Sequence, residues 1–348
     1  MFACACVCAC SSESSVECHF GTDRPIAEAD HGFDQLEMHE GVLHWSAPDG
    51  LWRDGRRLEA RCDGGFDVVG EVVACLRRPT HGEAGSLVWM RFEGGVLVER
   101  HAIAQVGRDS RGVAMARSGE GWRMLWHDGT PGDWQVWSAV FVPGAETDPA
   151  PVSSFQIAAL SPTMWTEGED TYMAWGESWL DAGYSRGQVM AWSGSGAPRR
   201  VVEVDVHDPR PVVLRDARSR VLFFRDHRRP YRRVGLYAVR LDDRFQTMGE
   251  PVRVGRANAD GPIRALECAG SLVVLTPRTW DEDLLIGINV LDRDLRKRIA
   301  EQQVYEWNAH FDQADVACVD DELRLVVAER GRGTESRVQA HAIQLSCR

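Results

Sequence analysis

The sequence contains no segment with helical amphipathic spacing long enough to insist on a helix, and no apolar run long enough to cross a bilayer. It also lacks a Walker loop, an H-E-x-x-H pair and a G-x-S-x-G phrase on a strand-to-helix turn, so the standard motifs of phosphate-binding loops, zinc proteases and α/β-hydrolases are missing. A surplus of positive charge is missing too. With 40 basic and 52 acidic residues the net charge is −12, which argues against a nucleic-acid partner.

What the chain does have is a repeated phrase. Arg220 to Leu241, RVLFFRDHRRPYRRVGLYAVRL, is an apolar strand, a charged loop and a second apolar strand, and variants of it recur along the sequence. The last apolar residues of the first strands fall at Trp45, Met90, Trp126, Trp175, Phe224, Leu275 and Val327, at intervals of 45, 36, 49, 49, 51 and 52 residues. A shorter apolar run precedes most of these marks and a weaker fourth run follows. Periods of roughly 40 to 50 residues with four short strands each predict an all-β chain, a single β-propeller of four-stranded antiparallel blades, seven most simply and six if blade one or two fails. The 13 Trp, 33 Gly and 15 Pro suit stacked sheets and tight turns.

Two units are expected: residues 1–15, and a propeller over 16–348. The first begins MFACACVCAC and continues into a Ser-rich spacer. It resembles the end of a bacterial lipoprotein signal, a likeness that implies lipid on Cys10, although a Cys sits inside the box and no basic residues precede it. A disordered, metal-scavenging tail is the alternative. Six further cysteines, an even set, suit an oxidising compartment, and burial as small apolar residues also accounts for them. Since the final run, VQAHAIQLSC, reads as the third strand of the last blade, SVECHF at 15–20 is expected to supply the outermost one. That would bring Cys18 beside Cys347, as a disulfide or as two thiols.

Propeller function is carried by the loops that enter the inner strands and crown one face. The entry loops supply Asp34, Asp109, Arg111, His207, Asp208, Arg210, Asp260, Arg264, His310 and Asp312. Asp followed by Arg is read first as a turn cap with an interblade ion pair, and second as an arginine ring gripping a carboxylate or sulfate. His beside Asp, at His31/Asp34, His207/Asp208 and His310/Asp312, is read first as hydrogen bonding and only second as a metal site, and no cofactor motif is present. Outer loops carry Trp179, Tyr231 and Trp280 beside charge, suited to sugar stacking or protein contact if they do not fold back on their own blades.

FFRDHRR followed by LYAVRL (223–241), with MLWHDGT and MAWGES as partial copies, resembles bacterial extracytoplasmic β-propeller repeat proteins whose blades run V-x-W-x-D-x-R, loop, Y-x-A-R-L. HDGTPGDW is similar to the sialidase Asp box without its spacing, and the WD40 marks are absent. The resemblance implies a monomeric, extracytoplasmic binding or scaffold module for a protein or glycan, touching membrane only through an N-terminal lipid. The alternative is a glycan-active hydrolase or lyase with paired carboxylates at the channel mouth.

Overall fold

The computed structural model describes the backbone of residues 18–347 except 30–34, 40–41, 48–49, 59–60, 81–83, 131–132, 154–157, 182–183, 229–233, 258–262, 281–282, 298–301, 304–309 and 331–337. Side chains are described outside 18–29, 277–286, 302–303, 310–313 and 327–347. Seven four-stranded antiparallel sheets result. Their innermost strands are Gln35–His39, Gly65–Val69, Arg111–Ser118, Ala158–Glu167, Val212–Arg215, Arg264–Cys268 and His310–Val319. Each touches the next, and the seventh touches the first, so the sheets close a ring as propeller blades.

Alternation along the strands explains the closure. Buried Leu36, Phe66 and Val213 point between blades, and seven apolar clusters form, each joining two neighbouring blades. Large side chains fill the second strands, with Trp126, Trp175 and Phe224 essentially inaccessible. The ring is sealed as expected by the first strand, Cys18–Ala29, lying outermost in blade seven against Val338–Cys347. In that register Cys18 faces Cys347. Their side chains, and Cys10, lie outside the described residues.

One ruler mark needs correction. Met90 lies on the third strand of blade two, Gly85–Glu93, whereas the residue aligned with Trp126 is Cys75 on the second. With Cys75 the marks 45, 75, 126, 175, 224, 275 and 327 are spaced by 30, 51, 49, 49, 51 and 52, so only blade one is short. An aromatic is replaced there by a disulfide. Cys75 bonds Cys62 in the entry loop of its own blade, and Cys268 bonds Cys318, joining blades six and seven. Closing loops of 13 and 50 residues is worth about 3 and about 4 kcal/mol in the chain-entropy picture.

Candidate active site at the channel mouth

Seen along the ring, one inner-strand position recurs. The residue before Met38, Val68, Met115, Met164, Val213, Leu266 and Val316 is Glu37, Asp67, Ala114, Thr163, Val212, Ala265 and Asp315 in turn. Blades seven, one and two thus present acids, and the other four present small or apolar groups. Each acid reaches the next blade: the Met38 N–H donates to Asp315 (2.6 Å), the Val68 N–H to Glu37 (3.4 Å) and the Met115 N–H to Asp67. Carboxylates therefore latch inner strands together where no ladder can.

The three acids are not equally compensated. Asp315 is buried and accepts from Arg264 Nε at 2.9 Å. Burial pushes its carboxyl up while Arg264 pulls it down. Asp67 accepts two backbone N–H groups, its other donor being Val68 at 2.8 Å. Glu37 has neither device. Burial first, then the charge of Asp67 and the hydrogen bond to it, raise its carboxyl well above the usual range. The two carboxyls share a hydrogen bond, and burial raises Asp67 as well.

Above the pair lies the channel mouth. Gln35 and Gly65, two residues earlier on the same strand faces and so about 7 Å away, line a cavity of about 420 Å³. Arg78, Arg111, His127, Ser161, Arg210 and Arg264 complete its polar wall. Three inner strands kink as they enter it, with positive φ at Gly112 (62°), Ser161 (52°) and Arg210 (45°). For Ser and Arg this conformation costs of order 1 kcal/mol or more, a cost concentrated at the mouth. His127 is buried edge-on to Trp134, and burial, with Arg111 and Arg78 adding, lowers it to about 4. It is a neutral imidazole at pH 7.

The residues expected from the sequence divide. Arg111, Arg210 and Arg264 do line the mouth. Asp208 stands beside it, bound by Arg210 of its own entry loop at 2.6 Å and by the Ser161 hydroxyl of blade four at 3.0 Å. Asp109 sits half-buried in the entry turn and does not line the cavity. His207 is exposed, its Nδ1 shares a 2.6 Å hydrogen bond with Ser178, and it does not line this cavity. Among the described residues no cluster of His, Cys, Asp and Glu could hold a metal ion. Asp34, Asp260 and Tyr231, with the side chains of His310, Asp312 and Trp280, lie outside the described residues.

Trp179 belongs to a different place, an outer groove of about 620 Å³ between blades four and five, shared with Asp181, Arg186, Glu203, Asp205 and Arg228. The Asp of the repeated W-x-D phrase is structural. Asp128 accepts from Gly107 N–H (3.1 Å) and the Ser110 hydroxyl (2.6 Å), and Asp226 from Asp205 N–H (2.7 Å), each pinning the chain that enters its own blade. Glu37, Asp67, Asp315, Arg78 and His127 were missed. The available signal was an acid inside an apolar inner strand, as in LEM, FDV and ADV.

No protein-family model and no curated protein matches the chain. Among solved structures it is similar to a puromycin-hydrolyzing peptidase of Mycobacterium tuberculosis (16% identity, TM-score 0.46), aligned over 79% of this chain and 46% of that one. It is similar to a Trypanosoma rangeli sialidase (10%, TM-score 0.47; 90% and 55%) and to an exo-1,5-alpha-L-arabinanase from a bovine ruminal metagenomic library (13%, TM-score 0.37; 68% and 91%). The chain spans about half the length of the first two. Likeness at this level concerns fold, so chemistry must be argued from the channel. The expectation of a non-catalytic scaffold is nevertheless corrected in favour of its alternative: the similar structures are named as a peptidase, a sialidase and an arabinanase. In this chain itself, Glu37 and Asp67 form a carboxyl pair without a guanidinium on each member.

Proposed function

We propose that this protein is a glycan-active hydrolase whose chemistry takes place at the channel mouth. The observation that carries this reading is the hydrogen-bonded Glu37–Asp67 pair, buried together with both carboxyls raised and Glu37 well above the usual range. An acid that stays protonated at neutral pH can protonate a leaving oxygen, and its ionised neighbour can take a proton from water. In the proposed step Glu37 gives its proton to the bridging oxygen as the glycosidic C–O bond breaks. Water attacks the anomeric carbon and loses its proton to Asp67, and transfer across the pair restores Glu37. The two carboxyls are hydrogen-bonded and thus closer than the about 5 to 9.5 Å of usual glycosidase pairs, so they work as one proton-sharing unit. The 420 Å³ cavity falls within the range of roughly 300 to 1,000 Å³ typical of small-ligand pockets.

The two disulfides support a place outside the cytosol. Anchoring through Cys10 is part of the same proposal, and mass spectrometry of the native N-terminus checks it. Release of reducing ends from a glycan panel, by wild type and by Glu37→Gln, tests the chemistry. Turnover by wild type that the variant loses supports the reading, and equal turnover by both sinks it.

A further inference from the structure

The four arginines of the mouth are not equivalent. Arg210 is spoken for by Asp208 at 2.6 Å and Arg264 by Asp315 at 2.9 Å. The remaining nearby acid, Asp63, is held by Arg61 and by the backbone N–H of Arg78 (3.0 Å), not by the Arg78 guanidinium. Arg78 and Arg111 therefore make no ion pair with any described side chain. Moreover, Arg78 Nε is buried with no hydrogen-bond partner, as is Nδ1 of His127. A buried polar group left unpaired costs about 1–3 kcal/mol, and two in one cavity point to partners brought by a ligand.

From this juxtaposition we infer that the mouth binds an anionic group, a carboxylate or sulfate ester, held by the Arg78 and Arg111 guanidiniums with the His127 ring alongside. Guanidinium pairs bidentately with both anions, and a neutral imidazole adds a hydrogen bond without competing for the charge. Arg78 is positioned from behind, because Asp63 fixes its backbone. Gly112, whose added Cβ would lie 3.3 Å from His127 Nδ1, keeps that nitrogen approachable beside Arg111. The site is local, since the chain as a whole carries −12. Its carrier being a sugar rests on the hydrolase reading above; the anion site does not. With both, the substrate class is an acidic glycan, a uronate or a sulfated sugar.

Calorimetric titration of the Glu37→Gln protein at low ionic strength tests this without turnover. The probes are glucuronate, glucose 6-sulfate, glucose and inorganic sulfate. One or both anionic sugars should bind at least about tenfold more tightly than glucose, and Arg78→Gln and Arg111→Gln should each weaken that binding about tenfold or more. Arg111 is exposed, so its substitution spares the fold, and Arg186→Gln in the outer groove should leave binding unchanged. Glucose binding as well as both anionic sugars, or unaltered affinity in both mouth variants, overturns the inference. The two charged sugars separate carboxylate from sulfate. Anion binding that persists in a protein hydrolysing no glycan would support the site while removing the hydrolase, and sulfate bound as tightly as either sugar would retain the anion site without its sugar.

Discussion

The two sides of the channel are built on the same strands yet solve the ring differently. Blades seven, one and two place Asp315, Glu37 and Asp67 at the repeated position and hold each other through carboxylate-to-amide bonds. Blades three to six place Ala114, Thr163, Val212 and Ala265 there, so no carboxylate latches them at this position; they cohere by packing, in clusters such as the one joining Leu125 and Trp175, and by polar bonds elsewhere, such as Arg220 to Glu167 at 2.6 Å. A propeller evidently needs no latch at this position. Three adjacent acids share one guanidinium, Arg264, whose ion pair is with Asp315, so burial beside Asp67 leaves the Glu37 carboxyl well above the usual range.

Removing that proton donor should have the largest effect. Glu37→Gln keeps shape and hydrogen bonding, and hydrolysis should fall by about 10²–10⁴-fold with the fold intact, measured as turnover beside a thermal melt. Next is Asp315→Asn, which takes the ion-pair partner from the half-buried Arg264 and leaves it only the more distant charge of Glu37 and Asp67, and should cost up to about 3 kcal/mol in denaturant unfolding. The matching change at the mouth, Asp208→Asn, should cost about 1 kcal/mol or less because both partners keep some water. Extending the acid side into the packed side sharpens the contrast. Ala114→Asp puts a fourth carboxyl where no partner waits, and should destabilise by roughly 2–4 kcal/mol at pH 7 and less at pH 4. A neutral outcome there would mean that the channel is wet enough to carry charge anywhere.

The ring was legible in the sequence because its signal is collective: apolar second strands return at near-constant spacing whatever the individual residues. Where one blade filled that slot with Cys75 the ruler slipped to Met90, since a disulfide half does not look like a core aromatic. The mouth was legible in part, through Arg111, Arg210 and Arg264 in charged entry loops. The acids were not, because period-two alternation says that Glu37 and Asp67 face away from the core without saying whether they meet solvent or a channel. Only closure of the ring turns an outward residue into an inward one. Pairing was equally hidden: Arg210 is bound by the Asp two residues before it, whereas Arg111, with Asp109 at the same spacing, makes no such ion pair.

The two sides should also titrate with opposite signs. Folded Glu37 holds a proton that the unfolded chain releases, so the stability it confers is complete below about pH 4.5 and is lost as pH rises through its raised folded value. Folded His127, lowered to about 4, lacks a proton that the unfolded chain takes up below its usual 6.5. Its share, roughly 3 kcal/mol at most, is present above pH 6.5 and lost as pH falls toward 4. Melting temperature against pH should form a dome. Glu37→Gln should flatten its alkaline limb and His127→Gln its acid limb, and a limb unchanged by its substitution would refute that assignment.

The smallest effect is expected in the outer groove, where charge is as dense but differently held. Arg186 bridges Asp205 and, at 3.9 Å, Asp181, with side chains 47%, 50% and 64% exposed. Water and salt screen such pairs, so Arg186→Gln should change stability by less than about 1 kcal/mol, a shift of about 4 °C or less. It should also leave turnover at saturating substrate unaltered. If the glycan extends past Trp179, the same substitution should raise KM with kcat constant, because a contact made equally in ground and transition states alters binding only. A large fall in kcat would move the chemistry out of the channel and into the groove, reversing the order in which the two cavities have been placed.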